Sequence, residues 1–244
     1  MIFAATYGND FLSYVIYLIF TLIAVCIGLV CHEVAHGYAA KLNGDPTAKN
    51  AGRLTLNPLK HFDLIGFIMM MLVGFGYAKP VPVNPYNFKN YRRGLFTVAI
   101  AGVVTNIIIA FISSLFRALL LFGAANTTTV AASNVFYTFS NLFLIITTVN
   151  LSLFFFNIIP IYPLDGFRVV EIFTRQGNKF CAFMRKNGQY ILWGLVGLSF
   201  LVSMANSYAS LPYWFSFIDI LGTYLGFFVG NVSSGFSALW ALMF

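Results

Sequence analysis

Twenty consecutive residues, Phe11 to Val30, carry no charge, and they run without a break into Cys31-His32-Glu33-Val34-Ala35-His36-Gly37. About twenty apolar residues are what an α-helix needs to cross a hydrocarbon layer roughly 30 Å thick. Ionisable groups are rare inside such a helix and mark function where they occur. On one helix His32 and His36 lie a turn apart on the same face, so both imidazoles reach a single metal ion. Glu33 lies about 100° round the helix from His32. It is placed to act on a water molecule without being a ligand. Histidines that merely hydrogen-bond neighbouring helices are the bland alternative, and the weaker one.

The rest of the chain has the same character. Of its 244 residues 59% are hydrophobic and only 9% charged, with a mean hydropathy of +0.83. Soluble domains carry about 25% charged residues, so an all-α polytopic membrane protein is expected. A formal charge of +7 raises the question of nucleic acid, but the basic residues lie in loops between apolar segments. Topology and anionic lipid headgroups account for them, and no nucleic-acid partner is expected. The three cysteines, Cys26, Cys31 and Cys181, are odd in number and irregular in spacing, which excludes a disulfide framework. Cys31 points about 100° away from its neighbour His32 and is not a fourth ligand. Residues 1–10 hold no basic stretch ahead of the apolar run, so the first helix is expected to stay in the mature protein.

The first helix is expected from about Phe11 to Leu42, stopped by Asn43-Gly44-Asp45-Pro46. Alternation in Arg53-Leu54-Thr55-Leu56 reads as a short strand. Residues 64–78 are apolar but short, with glycines at 66, 74 and 76, which predicts a re-entrant or interfacial segment. Together these two make a short β/re-entrant element between the first two full spans. The prolines of Lys79-Pro80-Val81-Pro82-Val83-Asn84-Pro85 impose a rigid extended loop. Further spans are expected at residues 94–122, 135–159, 190–205 and 211–229, for about five to six transmembrane helices. One membrane-embedded domain over residues 1–244 follows, with a core near 11–187 and C-terminal helices near 188–244. Of fourteen Lys and Arg residues, four fall in 41–60, four in 79–93 and five in 168–186, leaving Arg117 alone elsewhere. The positive-inside rule makes those three stretches cytoplasmic and the N-terminus external, in the plasma membrane. The pattern is self-consistent only if 64–78 enters and leaves on one side. Arg117 then lies near the external end of its helix and snorkels to that interface.

Two histidines at i and i+4 with an adjacent glutamate form the H-E-x-x-H pattern of zinc hydrolases. With Lys41 at the cytoplasmic boundary, His36 lies about 8 Å and His32 about 14 Å inward. A catalytic zinc takes three protein ligands and keeps a position open for water. Candidates for the third ligand are few: Asp45, Asp63, Asp165, Glu171 and Asp219 remain once Asp10 is set aside as external. Asp165 follows a span broken by Pro160 and Pro163, and such backbone at that depth is tolerated only when buried in protein or lining a cavity.

His32-Glu33-Val34-Ala35-His36, paired with Asn157-x-x-Pro160-x-x-Pro163-Leu164-Asp165-Gly166, resembles the site-2 protease family of intramembrane zinc metalloproteases. Gly52-Arg53-Leu54-Thr55-Leu56-Asn57-Pro58 and the proline-rich segment at 79–85 are similar to its small prokaryotic branch. The resemblance covers roughly residues 20–170. It implies one zinc per chain held by His32, His36 and Asp165 toward the cytoplasmic side, Glu33 as base, and a transmembrane protein substrate cut within or near its helix. It also implies substrate contacts at Asn157 and Asn106. The middle helix reads Gly102-Val103-Val104-Thr105-Asn106, without the proline that often follows the glycine. Neither the PDZ nor the CBS domain of many relatives is expected within these 244 residues. The competitor to Asp165 is Glu171, which sits among Arg168, Arg175 and Lys179 where an ion-paired surface carboxylate is ordinary.

Other features fit around this core. Gly222, Gly226 and Gly230 form a small-residue ridge on the last span; packing within the monomer is the default and a homo-oligomer face the alternative. Asp219 is read as lying about two turns into that span. A metal-ion transporter using His32, His36 and Asp165 as a transit site is the rival function, though no internal repeat is visible and transit has no need of Glu33.

Overall fold

A computed structural model describes residues 11–63, 65–66, 78–175, 177–208 and 218–243. Among them six helices of nine residues or more account for most of the chain: α1 (Phe11–Leu42), α2 (Tyr91–Asn126), α3 (Val130–Asn157), α4 (Asp165–Phe173), α5 (Lys179–Tyr208) and α6 (Ile220–Ala241). A single helical turn at Thr47–Asn50 and 3-10 turns at Pro58–Lys60 and Pro85–Asn87 punctuate the loops. Among the described residues four helices are long and apolar enough to cross a membrane: α1, α2, α3 and the Lys179–Asn206 part of α5. The chain is an all-α, multi-pass membrane protein.

The helices outrun the apolar segments that announce them. α2 begins at Tyr91 and ends at Asn126, several residues beyond 94–122 on each side. α5 starts at Lys179, eleven residues before Tyr190, and carries Arg185 and Lys186 in its early turns. Apolar length measures the hydrocarbon layer, whereas backbone hydrogen bonding continues into the interface. The last helix is a correction of extent. It runs from Ile220 to Ala241, past the expected end at 229, because Asn231, Ser233 and Ser234 lower its hydropathy without stopping it. Residues 209–217 lie outside the described residues. Asp219 is also corrected: it precedes α6, and its Oδ1 accepts from the Gly222 amide at 2.7 Å as an N-terminal cap. Among the described residues nothing packs on the ridge at Gly226 or Gly230, where a Cβ would meet no atom within 4 Å.

Residues 53–56 are not a strand. They run as irregular chain with a bend at Thr55, and Arg53 Nη2 donates to the Lys79 carbonyl. Among the described residues the one β-pairing is an isolated antiparallel bridge between Phe62 and Ala78. Lys79 N adds a bond to His61 O at 2.7 Å, so the two ends of the expected re-entrant segment meet side by side. Most of that segment, 64 and 67–77, lies outside the described residues.

Two compact units divide the chain, one of residues 1–28, 106–153 and 225–244, the other of 29–105 and 154–224. In the first, Ala24, Ile145 and Ile146 form the core, packed by Phe20, Ile27, Ile109 and Phe143. Polar side chains tie its helices where an apolar solvent would leave them unsatisfied. Asn106 Nδ2 donates to Gly28 O at 3.2 Å and to Asn150 Oδ1 at 2.9 Å, with both side chains fully buried.

In the second unit Ala40, Phe88 and Val98 pack with Val83 and Leu95. The turn after α1 is held by Asp45, whose carboxylate is completely buried. It accepts from the Asn84 amide at 2.7 Å, Asn87 Nδ2 at 2.8 Å, the Thr47 amide at 3.1 Å and the Thr47 hydroxyl. Burial works against ionisation of Asp45, but these hydrogen bonds outweigh it and hold the carboxyl below the usual carboxylate range. Gly44 adopts φ +105°, a conformation that a side chain resists. One aspartate thereby pins the proline-rich loop to the end of α1.

Candidate metal centre

Three buried side chains of the second unit converge. His32 and His36, one turn apart on α1, put their Nε2 atoms 3.0 Å from each other. Asp165 Oδ2, on the first residue of α4, lies 3.2 Å from His32 Nε2 and 3.1 Å from His36 Nε2. Exposure is 6%, 7% and 7% for the three residues, so bulk water does not screen them. A carboxylate at the N-terminal end of α4 is also favoured by the helix dipole.

Protonation follows from the neighbours. His36 Nδ1 is 2.7 Å from the Val98 carbonyl, which can only accept, so Nδ1 carries the proton. Asp165 Oδ2 is buried and forms no hydrogen bond of its own. Two imidazole nitrogens and a carboxylate oxygen stand within 3.2 Å of one another away from bulk water, an arrangement that suits a cation. The donor set suits zinc: ligands at about 2.0–2.1 Å around a tetrahedral ion stand roughly 3.3 Å apart. Among the described residues this trio forms a group able to hold a metal ion.

Local sequence explains how α4 comes to the site. Pro160 and Pro163 end α3 and turn the chain, with a cis peptide at Tyr162–Pro163. Gly166 is then required, because a Cβ there would collide with the Ile158 carbonyl. Phe167, 1% exposed, anchors the next position.

Glu33 stands next to the cluster in sequence and outside it in bonding. Its Oε2 accepts from the Val81 amide at 2.8 Å. Val81 lies between Pro80 and Pro82, so it owns the single N–H of that tripeptide, and the loop spends it on Glu33. Glu171 is elsewhere: its Oε1 pairs with Arg185 Nη2 and Nε, both at 2.6 Å, on the surface. Asn157 is half-buried at the C-terminal end of α3. Asn106 is not among the clustered residues; its amide is used inside the first unit. Cys31 stays out of the trio. His61, the third histidine, is buried apart from the trio with Nε2 on the Thr55 carbonyl at 2.8 Å.

Three participants escape sequence reading. The Val98 carbonyl and the Val81 amide are backbone groups, and only the flanking prolines hint at the second. Gly102 is the third. A Cβ there would stand 2.6 Å from both His32 Nδ1 and His36 Nε2, so its missing side chain lets α2 pass against the imidazoles. The sequence singles it out only as the glycine of the Gly102-Val103-Val104-Thr105-Asn106 stretch, with no hint of its contact with the imidazoles.

The profile of Peptidase family M50 matches residues 20–202, three quarters of the chain and all of the clustered side chains. The chain belongs to peptidase family M50. It is similar to the protein named "Putative zinc metalloprotease YwhC" of Bacillus subtilis (strain 168), with 39% identity over 199 residues, 76% of this chain and 88% of that one. No solved structure matches it. M50 peptidases are the site-2 proteases, so this apolar, multi-pass chain is an intramembrane zinc metalloprotease with zinc as its cofactor. The family gives metal-ion transport no support.

Proposed function

We propose that this M50 peptidase carries out regulated intramembrane proteolysis, hydrolysing peptide bonds within or near the transmembrane helices of membrane-protein substrates. The observation behind this reading is the convergence of His32 Nε2, His36 Nε2 and Asp165 Oδ2, with both histidines on a helix able to cross a bilayer. His32, His36 and Asp165 are the zinc ligands and Glu33 is the base. Zinc held there supplies Lewis acidity to a peptide carbonyl and makes water a competent nucleophile near neutral pH. Glu33 takes the proton of that water on Oε1, while Val81 N–H fixes Oε2, and passes it to the leaving amine. His36 stays in one tautomer because Val98 holds Nδ1–H. Asn157 is the donor to the substrate carbonyl or developing oxyanion. Asn106 would reach a substrate only by exchanging its bonds to Gly28 and Asn150, so its part is to steady the helix backbone.

The active site faces the cytoplasm of a plasma-membrane protein whose N-terminus is external, and residues 64–78 enter and leave on the cytoplasmic side. The whole chain acts as one catalytic domain, with a core near 11–187. Copies associate, if at all, through Gly222, Gly226 and Gly230. The test uses purified protein in nanodiscs with a transmembrane reporter. Glu33→Gln should cut about 10²–10⁴-fold more slowly while keeping one zinc per chain. His32→Ala should lose the metal. Cleavage by Glu33→Gln at the wild-type rate would end the proposed mechanism.

A further inference from the structure

The second half of α2 carries a cation that proteolysis does not use. Arg117 is the one Lys or Arg of fourteen outside the three basic stretches. Its Nε is buried and has no hydrogen-bond partner. The ion pairs among the described residues join Asp165 to the two histidines and Glu171 to Arg185, so Arg117 has no carboxylate there. Of the seven acidic residues only Asp10 belongs to the same unit, and it lies outside the described residues. A guanidinium nitrogen shut away from water without a partner is costly.

That guanidinium lines a cleft of about 290 Å³ whose walls include Leu121, Phe122 and Trp240 and whose polar lining comes from Ser114 and Ser237. Trp240 Nε1 donates to Ser114 Oγ at 2.8 Å and the Phe111 ring packs on Trp240 at 5.0 Å, which fixes the α6 wall against α2. The cleft is too small for a whole lipid and large enough for a phosphate with the start of its glycerol. Depth agrees. From Arg93 to Arg117 the helix rises about 36 Å, more than the roughly 30 Å hydrocarbon layer and less than the 40–45 Å that includes headgroups. With Arg93 at one interface, Arg117 stands at the phosphate level of the opposite leaflet. Ile108, Ile112, Phe116 and Leu119, each 41–51% exposed, continue an apolar stripe along α2 toward the bilayer centre. Among the described residues no acidic side chain lines the cleft to receive a choline or ethanolamine ammonium.

We propose that the cleft between α2 and α6 binds the headgroup of an anionic phospholipid, with Arg117 on the phosphodiester and the acyl chains along the Ile108–Leu119 stripe. The site is separate from the metal trio and does not depend on the proteolytic reading.

The test follows Trp240 fluorescence in the full chain, with the other two tryptophans, Trp193 and Trp214, changed to Phe. Nanodiscs contain brominated phosphatidylglycerol or brominated phosphatidylcholine in a fixed lipid background. Half-maximal quenching should need about fivefold less phosphatidylglycerol, the preference one arginine supplies at a membrane surface. Arg117→Gln should abolish the preference, Arg117→Lys should keep it, and soluble glycerol phosphate should not relieve quenching. Asp10→Asn should leave it unchanged. Equal quenching by the two lipids in the wild-type background overturns the proposal, and that comparison decides even if Arg117→Gln fails to fold. So does a preference that survives Arg117→Gln, or one that appears only once Asp10 is neutralised. Relief of quenching by a transmembrane substrate with acidic flanks, lost in Arg117→Gln, would reassign the cleft to substrate and equally overturn it.

Discussion

Gly102 contributes no side chain, and the two imidazoles require that of it. An added methyl would sit 2.6 Å from His32 Nδ1 and His36 Nε2, with a helix backbone behind it. Overpacking of this kind costs about 1–3 kcal/mol. Here the atoms that must yield are the proposed ligands themselves. Gly102→Ala should therefore lower zinc affinity about 10–100-fold, the range seen when support of a ligand is lost. Asp165→Ala should purify depleted of zinc, while Glu171→Ala should keep a full complement, because Glu171 is engaged with Arg185 on the surface. Metal analysis of the three variants beside wild type decides; zinc retained without Asp165 and lost without Glu171 would transfer the ligand role to the glutamate. His32, Glu33 and His36 are legible because helix periodicity alone brings them together. Asp165 is legible from the prolines and glycine that bend the chain around it. Gly102, Val81 and Val98 are not, since their roles arise from contacts between residues 48 to 70 positions apart.

The turn linking α1 to the loops is a different kind of element, held by a buried charge instead of apolar packing. Asp45 gathers donors from residues 47, 84 and 87. Hydrogen bonds to a charged group are worth about 1.5–3 kcal/mol, and an unsatisfied buried donor costs further. Asp45→Asn replaces one acceptor oxygen by a donor facing other donors, so thermal stability in detergent should fall clearly. The pH dependence has a definite sign. The folded carboxyl is held below its unfolded value, so its stabilisation is present in full above the unfolded pKa of about 3.9 and is lost as pH falls through the folded value. The gap between wild type and Asp45→Asn should therefore close on acidification. A gap that persists after Asp45 is protonated would mean that shape, not charge, holds the turn. From the sequence this turn reads only as a stop signal for α1. The helix ends are misread for a related reason: hydropathy reports the membrane layer, and α2, α5 and α6 continue past it.

For the whole molecule, the basic stretches and the Phe62–Ala78 bridge make one claim from separate observations. Thirteen of fourteen Lys and Arg residues lie in 41–60, 79–93 and 168–186, which the positive-inside rule puts on one side. The bridge joins the residues flanking the apolar segment at 64–77, and Lys79 N bonds His61 O beside it. Ends hydrogen-bonded to each other favour a segment that returns to the side it left, so an even number of crossings between Lys60 and Lys89 is expected. α2, long and apolar enough to cross, is then expected to bring Asn126 out on the far side. Single cysteines at Lys60, Lys89 and Asn126, in a chain with Cys26, Cys31 and Cys181 replaced, make this measurable. With a membrane-impermeant thiol reagent on intact cells, only the cysteine at 126 should label. After permeabilisation all three should. Labelling at 60 or 89 from outside would invert or split the arrangement, and the proposed depth of His32 and His36 below the cytoplasmic surface would fall with it.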